Sequence, residues 1–465
     1  MTDFLNITGS ITQCSKNITW TNKELIKLIE KKINDFKSKG LCTGDIVVVA
    51  HSNLPDFFVE LLSLWNLGIC VAVLNPHITK SEIINIEKFL SPRLIIDKDK
   101  VYSYRINKKI DNNKPYTIDS NALILFTSGT TGSPKAVVHS FRSLISRFAL
   151  NKVFVGESIF YNSLCLLPFH FGHGLIGNCL SVLFSNGNLF YLENNLANLS
   201  KIDEYINKYN ITFLSSVPSL WKNILKIRPN PSKLINLKKI HIGSAPLSSN
   251  LWEEVVDWSK GKEVVNAYGI TETANWIAGA SSVNKIQDGL IGNMWGGFIS
   301  LLNKEKNITL TGEGEIILKT PSLMTKYFKN KELTNEVFYN GWYKTGDIGY
   351  IENKEIKIIG RSKSEINRAG LKINPEELDI LIEKHHLIDE ACAFGAPDEI
   401  LGEKVCVAVV LKEKENINAE EMKIWLNNKI SLEKVPESWF FLKKIPKNDR
   451  GKINRKTVLE FCIKR

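Results

Sequence analysis

Leu123-Ile124-Leu125-Phe126-Thr127-Ser128-Gly129-Thr130-Thr131-Gly132-Ser133-Pro134-Lys135-Ala136-Val137-Val138-His139 is the stretch around which the chain is organised. Its first four residues are apolar and of strand character. It then breaks into Ser, Thr and Gly and is closed by Pro134 and Lys135. A hydrophobic strand feeding such a loop points to an anion cradle. Glycines let backbone N–H groups turn toward a ligand, hydroxyls donate hydrogen bonds, and the lysine supplies charge. It is not a Walker A loop, because Gly129 is not followed at the required spacing by Gly-Lys-Ser/Thr. Taken alone, such a loop is more often a surface turn, so the rest of the chain has to decide.

Strands and helices alternate on both sides of it. Thr21-Asn22-Lys23-Glu24 reads as a capping box. Leu25, Leu28, Ile29, Ile33 and Phe36 recur at helical spacing until Gly40 stops the helix. Runs at 46–50, 69–74, 94–96 and 123–126 are apolar throughout, as expected for strands covered on both faces, with a helix at 55–67. Further on, helices at 202–209, 218–227 and 251–258 alternate with extended runs at 211–214, 239–242 and 264–265. This order predicts βαβ units and a mainly parallel sheet. From about 290 to 359 the pattern changes to short strands with turns such as Gly312-Glu313-Gly314 and Asn340-Gly341, an antiparallel β subdomain. After Gly360-Arg361-Ser362-Lys363, a Lys- and Glu-rich segment has its own strands and helices. The expectation is an α/β chain with a large N-terminal domain, 1–360, of parallel-rich sheets plus a small β subdomain. A small α+β C-terminal domain, 361–465, follows.

Bulk properties agree. A chain of 465 residues predicts two or three domains, and 43% hydrophobic content is that of a globular protein with a sizeable core. No apolar run approaches the ~18 residues that span a bilayer, and residues 1–17 lack the apolar core of a signal peptide. Cys462 stands at the prenylation position, but Lys464 and Arg465 are wrong for that signal. The eight cysteines are scattered without a CxxC, which fits reduced thiols in a cytoplasmic protein. The net charge of +11 is compatible with nucleic acid, acidic lipid or an acidic carrier protein. Lysines are spread throughout, however, and none of the basic runs is interleaved with aromatics. No nucleic-acid partner is expected.

Short motifs stand at the ends of the later strands. Gly243-Ser244-Ala245-Pro246 follows 239–242, and Asn266-Ala267-Tyr268-Gly269-Ile270-Thr271-Glu272 follows 264–265. Ligands of open α/β sheets bind beyond the carboxyl ends of strands, so loops here belong at a site. The small residues of the first let a flat ring lie against backbone. Tyr268 can stack on a base, Thr271 can hydrogen-bond a phosphate, and Glu272 can hold a magnesium ion. Each loop alone is equally well read as an ordinary strand-to-helix turn. Gly341-Trp342-Tyr343-Lys344-Thr345-Gly346-Asp347 sets a carboxylate on a glycine turn, able to accept from both hydroxyls of a ribose. Ala369-Gly370-Leu371-Lys372-Ile373-Asn374-Pro375-Glu376-Glu377-Leu378 follows Lys363. Pro446-Lys447-Asn448-Asp449-Arg450-Gly451-Lys452 places a lysine on a glycine turn near the end.

These motifs, in this order and at these spacings, resemble those of the adenylate-forming superfamily: acyl-CoA synthetases, peptide-synthetase adenylation domains and beetle luciferases. The resemblance implies a C-terminal domain mobile about a hinge at Lys363. It also implies a two-step reaction. A carboxylate attacks the α-phosphate of ATP-Mg2+, giving an acyl-adenylate and pyrophosphate, and a thiol then takes the acyl group and releases AMP. Thr127, Ser128, Gly129, Thr130, Thr131, Gly132 and Lys135 would clasp the β- and γ-phosphates. Ser244, Ala245, Pro246 and Tyr268 would hold adenine, with Gly243, Asn266 and Gly269 in the same loops. Thr271 would contact the α-phosphate, Glu272 would bind magnesium, and Asp347 would hold the ribose with Arg361 beside it. Lys452 resembles the catalytic lysine between the carboxylate and the α-phosphate. Attack by an anion on a polyanion needs such cations between them. Pro168-Phe169-His170-Phe171-Gly172-His173-Gly174 resembles the aromatic segment beside the acyl site, with His170 matching the carboxylate positioner and His173 a helix-start or packing residue. Gly269 would lie at the floor of the acyl site, where acetyl-CoA synthetases carry tryptophan. Trp276 and Trp221 would wall the tunnel or pack the core. A medium-sized acid is the expected substrate.

The chain departs from the family pattern at Ala136, at Arg450, at Asn367 (where many CoA ligases have lysine) and at Ala369 (in place of a glycine lining the pantetheine tunnel). The leading reading is therefore a ligase of a small carboxylic acid with CoA as the thiol. Loading of an acyl carrier protein's phosphopantetheine is the alternative. An amino-acid adenylation domain is disfavoured, because the aromatic segment lacks the aspartate that holds the α-amino group. A non-catalytic nucleotide-binding regulatory protein is disfavoured because Lys452, Asp347 and Glu272 are all present.

Overall fold

The computed structural model describes residues 7–97, 101–103, 116–127, 135–361, 365–368, 371–398, 401–412, 415–427, 429–448 and 451–463. The loop 128–134, the expected hinge at Lys363, the pair Ala369-Gly370 and Arg450 lie outside the described residues.

The chain is α/β, built on four sheets. In the seven-stranded sheet, Asn121–Thr127, Cys70–Val73, Ile46–Ala50 and Leu94–Asp97 run parallel, and antiparallel strands close its edges. Alternate residues point to two cores: Val47, Val49, Val71, Val73, Leu123 and Leu125 to one, Val48, Ala72, Ile95 and Ile124 to the other. Burial on both faces is why these strands carry no polar alternation. The opening stretch is a hairpin: Asn121–Thr127 pairs antiparallel with Lys135–Ser140, with Thr127 opposite Lys135. Both therefore stand at the feet of the glycine-rich loop.

The nine-stranded sheet has a parallel centre of Glu263–Ile270, Lys239–Gly243, Phe213–Ser216, Asn162–Cys165, Asn188–Tyr191 and Ile11–Gln13. One core joins the two large sheets, taking Phe213, Val265 and Ala267 from this one. The helix Asp56–Asn66 belongs to that core. So does the π-helix His173–Leu180, all eight residues of which are buried. Asn266, Tyr268 and Gly269, expected in a loop, lie instead within the strand Glu263–Ile270, because that strand is paired on both sides.

Six strands between 298 and 361 form an antiparallel sheet, while Lys326–Tyr327 in the same span pairs with Lys135–Ser140 of the seven-stranded sheet. Beyond it, Ile388–Asp398 and Gly402–Leu411 lead a five-stranded sheet with separate cores on its two faces, one around Ala393, Val405 and Val407, the other around Phe394, Cys406 and Val458. A large N-terminal and a small C-terminal domain result. His386 is exposed, whereas His385 is buried against Trp425, with ring centroids 4.9 Å apart. All eight cysteines are free, and burial pushes the thiols of Cys14, Cys70 and Cys392 up to about 12. Among the described residues no helix is long and apolar enough to cross a membrane.

Candidate active site

The parallel strands Phe213–Ser216, Lys239–Gly243 and Glu263–Ile270 bring their carboxyl ends together, the position at which open α/β sheets take ligands. Gly243 is needed there: a Cβ would stand 2.4 Å from the Ala267 carbonyl oxygen of the next strand. Ser244 then turns the chain with a left-handed φ of 70°. Its hydroxyl lies 2.8 Å from His173 Nδ1, while His173 Nε2 lies 2.8 Å from Ser215 Oγ. The imidazole thus ties the Gly243-Ser244-Ala245-Pro246 loop to the neighbouring strand. Burial, with the Lys452 charge nearby, holds its pKa down to about 3. His173 is the first residue of the π-helix, as its packing reading requires, but its contact with Ser244 was not foreseen.

Lys452 sits on a turn in which Asn448 Oδ1 accepts its backbone N–H at 3.0 Å and Gly451 has φ 70°. A Cβ on Gly451 would lie 2.7 Å from Ser219 Oγ, so the lysine turn leans on the start of the helix Pro218–Ile227. Two ion pairs join the same domains: Lys222 Nζ to Glu383 at 3.1 Å and Lys384 Nζ to Asp288 at 2.5 Å.

Thr271 and Glu272 occupy a short 3-10 turn after Glu263–Ile270. His139 Nε2 lies 2.8 Å from the Thr271 carbonyl and donates to it. Glu272 Oε1 accepts from Tyr327 at 2.7 Å, and Lys135 Nζ stands 5.4 Å from the centre of the Tyr327 ring. The lysine at the foot of the glycine-rich loop and the expected magnesium carboxylate therefore share one tyrosine. Among the described residues no group of three or more His, Cys, Asp or Glu could hold a metal by itself. A lone carboxylate suits magnesium, which keeps water and takes most of its ligands from nucleotide phosphates.

Asp347, 2% exposed, accepts from Tyr268 Oη at 2.6 Å and from Arg361 Nε at 2.8 Å. It faces Arg361 across the strand pair. The Asp347 carboxylate raises the Arg361 guanidinium and, together with burial, raises the Tyr268 phenol. Asn266 is spent internally, donating to the Leu290 carbonyl at 2.8 Å. His170 packs on Phe171, with ring centroids 4.1 Å apart, just before the π-helix.

Gly269 is not an open floor. A Cβ there would lie 2.1 Å from the Asn275 carbonyl oxygen and 2.8 Å from Trp276 Cα. The register shift after Tyr268 presses this glycine against the next strand. Trp276 and Trp221 are both buried: Trp276 packs edge-on to His173 and His241, and Trp221 donates to Ser216 Oγ at 2.6 Å and packs on Trp258.

With motif-bearing loops gathered at the carboxyl ends of parallel strands and a lysine turn from a second domain leaning on the same region, the chain has the build of an enzyme that activates a substrate with a nucleotide. It belongs to the AMP-binding enzyme family, whose model matches residues 8–328, and the AMP-binding enzyme C-terminal domain matches residues 377–452. An oxalate–CoA ligase of Arabidopsis thaliana is 26% identical over 96% of this chain and 94% of that protein. A 2-succinylbenzoate–CoA ligase of Listeria monocytogenes serovar 1/2a is 28% identical over 95% of this chain and 94% of that protein. Among solved structures, ATP-bound MatB from Rhodopseudomonas palustris superposes with a TM-score of 0.87 at 21% identity, covering 99% of this chain and 98% of that one. MenE from Bacillus subtilis with ATP and magnesium gives 0.84 at 22% identity, covering 97% and 96%.

Proposed function

We propose that this chain is an AMP-forming acid–thiol ligase that activates a small carboxylic acid with ATP and transfers the acyl group to CoA. The observation that carries the reading is the docking of Lys452. The small-domain turn that bears Lys452 leans on the large domain, where a Cβ on Gly451 would lie 2.7 Å from Ser219 Oγ, and the Lys452 charge is felt by His173, which is bonded to Ser244 of the loop assigned to adenine. A cation placed there offsets the repulsion between an attacking carboxylate and the α-phosphate. In this reading the docked arrangement serves the adenylating half-reaction.

In this reading Ser244, Ala245, Pro246 and Tyr268 receive adenine, and Asp347 receives the ribose with Arg361 beside it. Thr271 contacts the α-phosphate. Residues 127–135 clasp the outer phosphates, His170 positions the acid, and Lys363 is the hinge between domains 1–360 and 361–465. Magnesium, when bound, neutralises phosphate charge, and Glu272 is its protein ligand. Relatives named as CoA ligases of oxalate and 2-succinylbenzoate support CoA as acceptor. A carrier-protein phosphopantetheine is the competing acceptor, and a cytoplasmic location is in keeping with either.

The test is acid-dependent pyrophosphate exchange over a panel of acids, followed by acceptor assays with CoA and with carrier protein. Lys452→Ala should lower exchange by ~10²–10³ and leave thioester formation from supplied acyl-adenylate largely intact. Equal loss of both half-reactions removes Lys452 from its role.

A further inference from the structure

Three polar side-chain atoms near the Thr271–Thr273 turn are buried without a hydrogen-bond partner: Asn275 Nδ2, Trp276 Nε1 and His241 Nδ1. Their residues are 6%, 1% and 1% exposed. They are neighbours. The Trp276 ring stands 4.7 Å from the His241 ring, and Asn275 precedes Trp276 in the chain. Left-handed backbone at Ala274 and Asn275, φ 55° and 82°, breaks the up-and-down alternation of a strand here. Both side chains consequently reach the same glycine of the π-helix. A Cβ on Gly177 would stand 1.9 Å from Asn275 Nδ2 and 3.2 Å from Trp276 Cε2.

Each orphaned buried group costs ~1–3 kcal/mol, and native proteins keep few of them without a reason. Left-handed non-glycine backbone and π-helical turns both gather at functional sites. The location fits an acyl tail. The Trp276 ring is 5.2 Å from His173, which holds Ser244 and feels the charge of Lys452. An acid whose carboxylate meets Lys452 can direct its tail past His173 toward these three atoms.

We propose that Asn275, Trp276 and His241 form a polar subsite, so that the preferred acid carries an uncharged oxygen, a keto or hydroxyl group, a few atoms beyond its reacting carboxylate. The inference rests on the ligase reading above. Two N–H donors suit an acceptor oxygen, and a trio without a cation disfavours a second carboxylate. An alkyl tail would leave all three groups orphaned, which is how a polar pocket rejects an analogue lacking the oxygen.

The experiment compares acids of equal chain length in pyrophosphate exchange: pentanoate with 4-oxopentanoate and 4-hydroxypentanoate, hexanoate with 5-oxohexanoate, and butanoate with butanedioate. In the wild type, kcat/KM for the best oxo or hydroxy acid should exceed that of its alkyl partner by about tenfold or more. Trp276→Phe removes one N–H, and Asn275→Asp turns a donor into an acceptor while keeping a residue that tolerates left-handed backbone. Each variant should reduce the ratio several-fold. Exchange with alkyl and oxygenated acids alike, or a ratio unmoved in both variants, overturns the subsite and leaves buried water as the partner of these atoms. A preference for butanedioate over every uncharged acid overturns it as well. If no acid supports exchange at all, the ligase reading fails and the subsite falls with it.

Discussion

Asp347 is held from two sides, by the Tyr268 hydroxyl at 2.6 Å and the Arg361 guanidinium at 2.8 Å, each on a different carboxylate oxygen. These contacts orient both oxygens and leave lone pairs for a diol. Asp347→Asn keeps the shape but loses charge-assisted acceptance, a loss of roughly 1.5–3 kcal/mol. The KM for ATP should rise by about ten- to a hundredfold, with the KM of the acid little changed. Equal rises in both would move Asp347 out of the ribose position. Gly269 behaves differently from its sequence reading. A methyl group there would overlap the Asn275 carbonyl, so Gly269→Ala should destabilise the fold by about 1–3 kcal/mol, read as a lower denaturation midpoint. Motif spelling placed these residues near one another but gave no direction for a missing side chain; that depends on the register of the neighbouring strand.

At the scale of elements, the apolar runs at 46–50 and 94–96 were legible because burial on both faces removes polar residues, and Thr21 and Glu24 form the capping box expected of them. The strand Glu263–Ile270 was not. After Val264-Val265 it continues Asn-Ala-Tyr-Gly, a run of low strand preference, and only pairing with Lys239–Gly243 and Asn275–Ser281 keeps it extended. The π-helix His173–Leu180 was equally hidden, since two glycines among apolar residues spell no periodicity. Yet it carries His173 to Ser244. The docked small domain is an element-scale state too, held in part by Lys222–Glu383 and Lys384–Asp288. Both pairs are partly exposed, so each is worth only a fraction of a kcal/mol. Lys222→Ala should lower the adenylation rate by roughly two- to fivefold and spare the thioester step, because it weakens one docked arrangement and not the other. Single-turnover rates of the two half-reactions check this; an equal fall in both would make Lys222 merely structural.

For the whole molecule, the buried histidines set a pH limit. Burial lowers His139 to about 4 and His173 to about 3, against 6.5 for an exposed imidazole. His139 donates to the Thr271 carbonyl, and His173 bridges two serine hydroxyls near Lys452, so neither site welcomes a proton. A folded pKa below the unfolded one means that the unfolded chain binds more protons between the two values. The stability these neutral imidazoles contribute is therefore complete above pH 6.5 and is lost as pH falls toward 4 and 3, with a slope of up to about 1.4 kcal/mol per pH unit for each. Asp379, raised to about 7 by burial, works in the opposite sense between its unfolded value and pH 7, and the wild-type curve is the sum of such effects. The difference between two chains isolates one histidine. His173→Gln keeps hydrogen-bonding capacity and cannot titrate, so its stability should fall less steeply than that of the wild type between pH 6.5 and 5. Because His173 also supports Ser244, the variant should lose affinity for ATP at every pH, not only in acid. Parallel denaturation curves for the two proteins across that window would show that His173 takes up its proton in the folded state as readily as in the unfolded chain, and that the imidazole is not the sealed bridge its two serine contacts describe.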